Sequence, residues 1–358
     1  MADILIKNGR VFSGERFFFA DVLTQGDRIA AIGENLEPQT TNTFVFNATG
    51  MTVAPGLVDA HAHFSGPEPD RFGIDPAMSC IPFGVTAAAD AGGAHADRHL
   101  AENLAVKNVT FVTVPIRADR PDFGSAEKKL ALYGDLAIGL KVYFDTNSSD
   151  VQTVAPLRQI CRYARERKLL VMVHCSNSPV PMAEILETLS PGDILTHAYH
   201  GGIHSAAQDD FASMLAAKER GVVIDAGFAG HIHTDLAVFQ AAVAKGALPH
   251  TISTDITRAS AYMRGGRYGM TMCMTLARIA GMEEADIFRC LTGNPAKALG
   301  KEGLWGCLTE GGPADIAVFS WESEGFCLTD RYGNHMESPT GYRCKLTVAD
   351  GVILWRDE

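Results

Sequence analysis

The sequence predicts an α/β protein, a (β/α)8 TIM barrel with a small β-sandwich domain built from both chain termini. Two observations lead to this prediction. Short apolar runs alternate with longer amphipathic segments through the middle of the chain, which is typical of repeated βα units and a parallel sheet. Both ends of the chain are instead rich in strands and turns, so we expect them to pair with each other. The predicted domains are residues 1–55 with 304–358, and residues 56–303.

The predicted small domain consists of short alternating strands punctuated by turns. Asn8-Gly9 and Gln25-Gly26-Asp27 supply turn chemistry in its N-terminal part. The predicted strands are residues 4–11, 20–23, 28–33, 314–319 and 344–355.

The predicted barrel contains eight apolar runs, each of which would be one strand. They end near His63, Asp90, Arg117, Phe144, His174, His197, Asp225 and Asp255, with helical patterns such as 156–167, 182–189, 206–220 and 236–245 between them. Eight units in about 250 residues is the length of a (β/α)8 barrel, whose chemistry collects at the carboxyl ends of the strands. A doubly wound open sheet is the alternative, but it would not gather strands one, four, five, six and eight around one centre.

Composition narrows the classes of partner. The chain has 358 residues, 46% of them hydrophobic, and a formal net charge of −11, so it lacks the basic surface that binds nucleic acid or an anionic membrane. Small molecules are the expected partners, and a homo-oligomer is left open. No signal peptide and no apolar run of about 20 residues is found, which favours a cytoplasmic location. The eight cysteines form no C-x-x-C pair, which argues against disulfides and a structural zinc knuckle.

The most informative local feature is the pair His61 and His63 at the end of an apolar run. On a strand, alternate side chains share a face, so both imidazoles can bind one cation. His174 and His197 close two later apolar runs in the same way. Four imidazoles at matching strand ends predict a metal site, although imidazole suits zinc, nickel, iron and manganese alike.

Two further side chains at strand ends are candidate ligands. Lys141 ends a run in which a charged group is unexpected, and burial beside cations would lower its pKa. Asp255 ends the eighth run, where it could bind a cation and accept a proton from an attacking water. The structural alternative for Asp255 is a helix N-cap.

At these residues the chain resembles the amidohydrolase superfamily, in its deacetylase and dihydroorotase-like branch. The resemblance spans nearly the whole chain and is most specific in residues 53–63, 191–201 and 251–255. It implies two divalent metal ions, zinc being the favoured metal, bridged by a hydroxide and by a carboxylated Lys141. It assigns the first cation to His61, His63, Lys141 and Asp255, and the second to Lys141, His174 and His197, with Asp255 as general base.

Departures from the family pattern bear on the substrate. Dihydroorotases carry an arginine two residues after the paired histidines, where this chain has Ser65, which argues against dihydroorotate. The deacetylase branch has Gly-His-Gly after strand seven, whereas this chain has Gly227-Phe228-Ala229. His231 and His233 follow that turn and are interpreted as loop residues.

The candidate substrate contacts are polar residues near strand ends. They are Tyr143, Tyr199, His200 and Arg258, with Arg264 and Arg267 as further guanidinium groups for an acidic substrate.

The expected enzyme is a binuclear hydrolase that removes an N-acyl or O-acyl group from a small acidic compound. One alternative is a cyclic amidase acting on a ureide ring, and another is a mononuclear deaminase. The deaminase needs a glutamate after a strand-five or strand-six histidine, and residues 175–181 and 198–205 contain none. A barrel that has lost its metals is disfavoured because every expected ligand position is filled.

Overall fold

The computed structural model describes residues 3–64, 72–92, 105–263, 268–323 and 325–357. Its strands are β1 Ile4–Phe12, β2 Phe17–Gln25, β3 Arg28–Gly33, β4 Phe44–Asn47, β5 Thr52–Pro55, β6 Leu57–Ala62, β7 Val85–Asp90, β8 Lys107–Thr113, β9 Ile116–Arg117, β10 Arg120–Pro121, β11 Ala137–Tyr143, β12 Leu170–His174, β13 Ile194–Thr196, β14 Val223–Ile224, β15 Ile316–Glu322, β16 Phe326–Thr329, β17 His335–Ser338, β18 Gly341–Ala349 and β19 Val352–Arg356.

The helices follow the strands of the central region and continue after them. They are α1 Pro76–Ser79, α2 Phe123–Tyr133, α3 Ala155–Glu166, α4 Met182–Thr188, α5 Ala212–Glu219, α6 Leu236–Ala244, α7 Arg258–Met263, α8 Met270–Ile279, α9 Glu284–Leu291 and α10 Gly293–Ala298. Within the described ranges, no helix is long and apolar enough to cross a membrane.

Strands from both ends of the chain pair in one eight-stranded sheet. Its order is β19-β18-β15-β5-β1-β2-β3, with β4 beside β1. The two ends meet where β5 and β15 run antiparallel, with Ala54 opposite Ala317. Buried aliphatic side chains such as Val22, Val53 and Val318 pack on this sheet. The described strands from the two ends thus pair in one sheet.

The central region forms a parallel sheet of seven strands in a TIM-barrel-like arrangement. The order is β14-β13-β12-β11-β8-β7-β6, with every neighbouring pair parallel. The third strand of this sheet, β8, ends at Thr113 rather than near Arg117 as the sequence predicts. Residues Ile116–Arg117 instead pair with Arg120–Pro121 in a short hairpin.

The eighth predicted strand is a segment that bridges both edges of this sheet. Thr251 forms an isolated parallel bridge with Asp225 after β14, and Ile256 forms another with Ala62 at the end of β6. The amide of Asp255 donates to the carbonyl oxygen of His61 at 2.7 Å, and the amide of His63 donates to that of Ile256 at 3.1 Å. The segment therefore connects the first and seventh strands without being a continuous strand, and Asp255 lies at the junction.

A hairpin from the C-terminal part of the chain lies against the start of α6. The Asp330 carboxylate, in the turn between β16 and β17, accepts a 2.8 Å hydrogen bond from the amide of Leu236. Asn334 donates to the carboxylate of Asp235, the N-cap of α6, at 3.0 Å. The turn thus satisfies polar groups at a helix start. It brings Arg331 within 3.5 Å of the Ile232 carbonyl oxygen.

Candidate metal centre and active site

The carboxylate of Asp255 lies between three histidines. Its Oδ1 atom is 3.1 Å from Nε2 of His61 and 2.9 Å from Nε2 of His63, and its Oδ2 atom is 3.6 Å from Nε2 of His197. All four side chains are buried. The structure therefore brings together three strand ends, as the alternation pattern predicts, around one carboxylate.

The orientation of His61 is set by a chain of buried hydrogen bonds. The hydroxyl group of Thr196 donates to Oδ2 of Asp225 at 2.7 Å, and its oxygen lies 2.9 Å from Nδ1 of His61. Because the single hydroxyl hydrogen is used on Asp225, Thr196 must accept from His61. Nδ1 of His61 therefore carries a proton, and Nε2 faces the centre.

Asp225 is the last acceptor in this series of hydrogen bonds. It is fully buried and also accepts hydrogen bonds from the hydroxyl groups of Thr251, at 2.6 Å, and Ser253, at 2.7 Å. Both donors belong to the bridging segment that carries Asp255. The same carboxylate thus orients His61 and holds the segment at the edge of the sheet.

Asp59 holds the other side of the segment. Its carboxylate accepts from the amide of Thr254 at 3.1 Å and from the Thr254 hydroxyl at 2.5 Å. Burial raises the pKa of Asp59 to about 7, although these hydrogen bonds oppose the shift. The backbone of Asp255 takes a φ of 45°, a left-handed conformation that non-glycine residues rarely adopt. The Asp59–Thr254 contact therefore stabilises a strained position next to the central carboxylate.

A second group of donors consists of His174, His197 and His233. One ligand atom from each lies within 4.8 Å of the other two. The ring centroids of His174 and His197 are 4.4 Å apart. His61, His197 and Asp255 form another group by the same distance, so His197 belongs to both. The possible donors thus form two groups that share His197.

Each of the two strand-end histidines in this group has one nitrogen engaged by the protein. Nδ1 of His197 lies 2.7 Å from the carbonyl oxygen of Gly227, to which it must donate, and its Nε2 atom is buried without a hydrogen-bond partner in the described structure. A Cβ atom on Gly227 would lie 2.7 Å from Nδ1 of His197, so only glycine allows this approach. The unpartnered Nε2 is the lone pair a metal would use.

His174 is oriented by a carboxylate. Its Nε2 atom lies 3.2 Å from Oδ2 of Asp145, which also accepts from the Ser176 hydroxyl at 2.9 Å. Although burial alone would raise the pKa of Asp145, the hydrogen bond from His174 outweighs it and lowers this pKa below its usual range. His174 therefore keeps its proton on Nε2 and leaves Nδ1 for a cation, as metal-binding histidines commonly do.

Lys141 is fully buried at the end of β11. Its Nζ atom lies 2.9 Å from Nε2 of His61 and 3.5 Å from the sulfur of Met172. Burial lowers the pKa of Lys141 to about 8, against the attraction of Asp255 and Asp225. A substantial part of this amine is therefore neutral near physiological pH, and the neutral form is nucleophilic.

The candidate substrate contacts fall into different environments. Tyr143 lies beside the centre, with its ring 5.6 Å from that of His174. Tyr199 is fully buried, and its hydroxyl group donates to the carbonyl oxygen of Ala247 at 2.9 Å, so it is a core residue rather than a pocket residue. Arg258 is exposed at the start of α7, and its guanidinium carbon lies 5.8 Å from the centre of the Tyr262 ring. Arg264, Arg267 and Ser65 lie outside the described residues.

His200 is a buried donor with a fixed tautomer. The amide of Gly202 donates to its Nδ1 atom at 3.0 Å, so a neutral ring carries its proton on Nε2. That Nε2 atom is buried and has no hydrogen-bond partner among the described residues. Burial lowers the pKa of His200 to about 4, which keeps the ring neutral. His200 therefore offers an unused N–H group, and Arg331 is a charged group that acts on its pKa.

Several site residues were not predicted from the sequence. The sequence pattern identifies Asp225 only as a strand end and His233 as a loop residue. The position of Asp59, a charged residue inside an apolar run, could have identified it as a site residue. Nothing in the sequence distinguishes Thr196, because hydroxyl groups are common on buried strands. The missed residues are Asp59, Asp145, Ser176, Thr196, Asp225, His233 and Thr254.

The donor set fits transition-metal ions, because imidazole nitrogens with a carboxylate suit zinc and its neighbours. His61, His174 and His197 each use one nitrogen on the protein, which is the usual arrangement around a bound metal, whereas Nδ1 of His63 is buried without a partner among the described residues. The buried, unpartnered Nε2 of His197 is a specific observation in favour of a cation at this position.

Known proteins are similar to this chain in sequence and in structure. The model of the amidohydrolase family matches residues 52–353. A deacetylase of Agrobacterium fabrum is 29% identical over 88% of this chain and 81% of its own length. Among solved structures, a dihydroorotase superposes with a TM-score of 0.84 at 25% identity, covering 99% of this chain and 98% of that one. An adenine deaminase superposes with a TM-score of 0.85 at 22% identity over the whole of both chains, a likeness in fold.

Proposed function

This chain belongs to the amidohydrolase family, and on that premise we propose that it is a binuclear metal-dependent deacetylase of small acidic compounds. It would hydrolyse an amide or ester bond. The observation that carries the proposal is the position of His197, which lies 3.6 Å from the Asp255 carboxylate and belongs both to the group with His61 and Asp255 and to the group with His174 and His233. Two groups of donors joined in this way fit a site for two cations.

The residues that would hold the metals follow from these groups. His61, His63, Lys141 and Asp255 would hold one cation, and Lys141, His174 and His197 the other, with zinc as the favoured metal. Bound there, the pair would polarise the substrate carbonyl and lower the pKa of a water molecule toward neutrality. Residues 56–303 would form the (β/α)8 barrel that presents this site, with residues 1–55 and 304–358 as the β-sandwich domain.

Lys141 would act as a carbamate that contributes to both metal sites. Its lowered pKa, about 8, makes the neutral amine available, and the amine can add to carbon dioxide with release of a proton. The product carries a negative charge in place of a positive one. That change suits a position 2.9 Å from the metal-facing nitrogen of His61.

Asp255 would be the general base. Burial tends to raise its pKa, but the neighbouring His61, His63 and His197 outweigh burial and hold the pKa well below the usual value. The carboxylate is therefore ionised and able to accept the proton of an attacking water. It would then pass this proton to the leaving amine or alcohol.

His200 supports an acidic or carbonyl-bearing substrate. Its N–H group is buried and unused, and leaving such a donor unpaired costs about 1–3 kcal/mol. An oxygen of the substrate would remove this cost. The charge of Arg331, on the hairpin turn near His200, adds attraction for an anionic group.

A second candidate function is hydrolysis of a cyclic ureide. A dihydroorotase of Lactobacillus johnsonii is 25% identical over 98% of both chains, which favours this chemistry. Ser65 stands where dihydroorotases carry a substrate-binding arginine, so dihydroorotate itself is disfavoured. Deamination has support from fold alone.

A substrate screen tests the proposal. The metal-loaded protein is assayed against N-acetyl amino acids, O-acetyl hydroxy acids, cyclic ureides and aminopurines, with a chelator-treated sample as the control. Metal-dependent release of acetate from an acidic substrate would support a deacetylase. Turnover restricted to ureides would establish the second candidate, and turnover restricted to aminopurines would refute both.

A further inference from the structure

His233 lies in the loop between β14 and α6 and has no place in the predicted ligand set. We propose that His233 is an additional metal ligand, the third imidazole for the cation that His174 and His197 would bind. This inference rests on the proposed metal centre. It raises the number of imidazole ligands of that second cation from two to three.

Distance is the first argument. The ring centroids of His233 and His197 are 4.4 Å apart, and those of His233 and His174 are 4.8 Å apart. One nitrogen of each ring lies within 4.8 Å of the other two. Nitrogens bound to one tetrahedral zinc at about 2.0–2.1 Å are roughly 3.4 Å apart. A side-chain movement of about 1 Å would therefore bring the three rings onto one cation.

The hydrogen bonding of His233 is the second argument. Nδ1 is buried and has no hydrogen-bond partner among the residues that the structure describes. Nε2 lies 4.0 Å from Oδ2 of Asp255, which is beyond hydrogen-bond distance. Buried polar atoms normally make at least one such bond. A packing role therefore leaves Nδ1 of His233 unexplained, whereas coordination would use this atom.

The backbone holds His233 in this position from both sides. Before it, the amide of Ala229 donates to the carbonyl oxygen of Thr254 at 2.9 Å, next to Asp255. After it, Asp235 caps α6, and its amide donates to the carbonyl oxygen of Tyr199 at 3.0 Å. The loop is thus fastened to the segments that carry Asp255 and His197. This attachment places the imidazole at the centre without a strand of its own.

The test is a titration of metal-free protein with cobalt(II), followed by its visible absorption. The variants are His233→Ala and His233→Gln, and His335→Ala is the matched control because it removes an exposed imidazole from β17. We expect the wild type and the control to bind two equivalents. In both His233 variants the second equivalent should bind at least 10-fold more weakly, with an altered absorption band. Equal thermal unfolding of the metal-free proteins shows that the variants fold.

The outcomes separate this inference from the proposed function. If both His233 variants bind the second cobalt ion with wild-type affinity and an unchanged spectrum, His233 is not a ligand, although the binuclear centre stands. If the wild type binds no cobalt at all, the proposed centre itself is refuted, and the role of His233 with it. If the second cobalt ion binds more weakly to His233→Ala but not to His233→Gln, ligation by imidazole is also contradicted, because a side chain of similar volume is then sufficient for normal affinity.

Discussion

His61 donates a 2.9 Å hydrogen bond from Nδ1 to the hydroxyl oxygen of Thr196. This contact decides which nitrogen of His61 faces Asp255, since the Thr196 hydrogen is already used on Asp225. A neutral hydroxyl group placed between a carboxylate and an imidazole transmits orientation without transferring the charge. The tautomer of the first candidate ligand is therefore set by a residue on a different strand.

Replacing Thr196 with Val tests this relationship. The change keeps the shape but removes the hydroxyl group, so the His61 N–H loses its partner, while Oδ2 of Asp225 keeps only the hydrogen bond from Ser253. We expect the free energy of unfolding to fall by about 1–3 kcal/mol and metal affinity to fall about 10–100-fold. Urea unfolding and metal analysis measure the two effects. Thr196→Ser is the control, and equal losses in both variants would show that the hydroxyl group is not responsible.

The replacement Asp255→Asn tests the general base. The amide cannot accept the proton of an attacking water, so we expect kcat to fall by about 10²–10⁴-fold. Steady-state kinetics with the best substrate of the screen provide the measurement, with metal content determined in parallel. Asp210→Asn, at an exposed carboxylate paired with Lys245, should retain full activity. Near-normal turnover of fully loaded Asp255→Asn would refute the assignment.

Metal loading should depend on carbon dioxide through Lys141. In metal-free protein the neutral amine becomes the majority form as pH rises through about 8. We therefore expect the rate of reactivation by zinc to increase with added bicarbonate and, at a fixed concentration of dissolved carbon dioxide, to increase from pH 7 to pH 9. Lys141→Arg cannot form a carbamate and should show neither dependence. Reactivation of the wild type at the same rate in carbonate-free buffer would contradict the carbamate.

His200 should recognise an oxygen of the substrate. His200→Gln can present an amide N–H near the position of Nε2, whereas His200→Asn is too short to do so. We expect His200→Asn to raise KM for an acidic substrate about 10-fold or more, with a smaller change in kcat, and His200→Gln to recover part of the loss. The measurement is the KM of N-acetylglycine compared with that of N-acetylglycinamide. Equal effects on both compounds would show that charge is not what His200 recognises.

The metal-free protein should lose stability in mild acid. Burial lowers the pKa of His63 and His200 to about 4 and that of His233 to about 3, from an unfolded value near 6.5. Between these values the unfolded state binds more protons, so the free energy of unfolding falls as pH decreases from about 6.5 to 4. The raised pKa of His61 acts in the opposite sense near neutrality.

Urea unfolding at pH 7 and pH 5 in the presence of a chelator measures this loss. His200→Asn should show a smaller loss between the two pH values than the wild type, because one buried titrating group is gone. His335→Asn, at an exposed position, should behave like the wild type. Stability that is constant across the range would show that these imidazoles are accessible to protons in the folded state.

Hydrophobic patterning was sufficient to predict the parallel sheet and the gathering of six side chains. Each of those side chains ends an apolar run, and parallel strands share one carboxyl edge. His61, Lys141 and Asp255 are accordingly in mutual contact or close to it. Their roles as ligands stay predictions. The prediction of an eighth strand was less accurate, because Thr251, Ser253 and Thr254 bond to the side chains of Asp225 and Asp59. Asp255 itself adopts a left-handed backbone conformation.

Other features could not be predicted because their signals are not periodic. His233 lies in a loop whose path depends on the glycine turn before it. Asp145 and Asp225 act through hydrogen bonds to residues about 30 positions away, and the sequence does not specify such partners. Tyr199 was misplaced because a tyrosine after a strand end can face either a pocket or a neighbouring helix.

The hairpin turn at Asp330 and Asn334 comes from the end of the chain, yet it lies beside His200, which comes from the middle. Laboratory evolution of new substrate preferences can therefore begin with a short peptide that is separate from the barrel strands. Libraries that vary Arg331 and Tyr332 while keeping the two helix-binding residues should yield enzymes of altered selectivity with unimpaired folding.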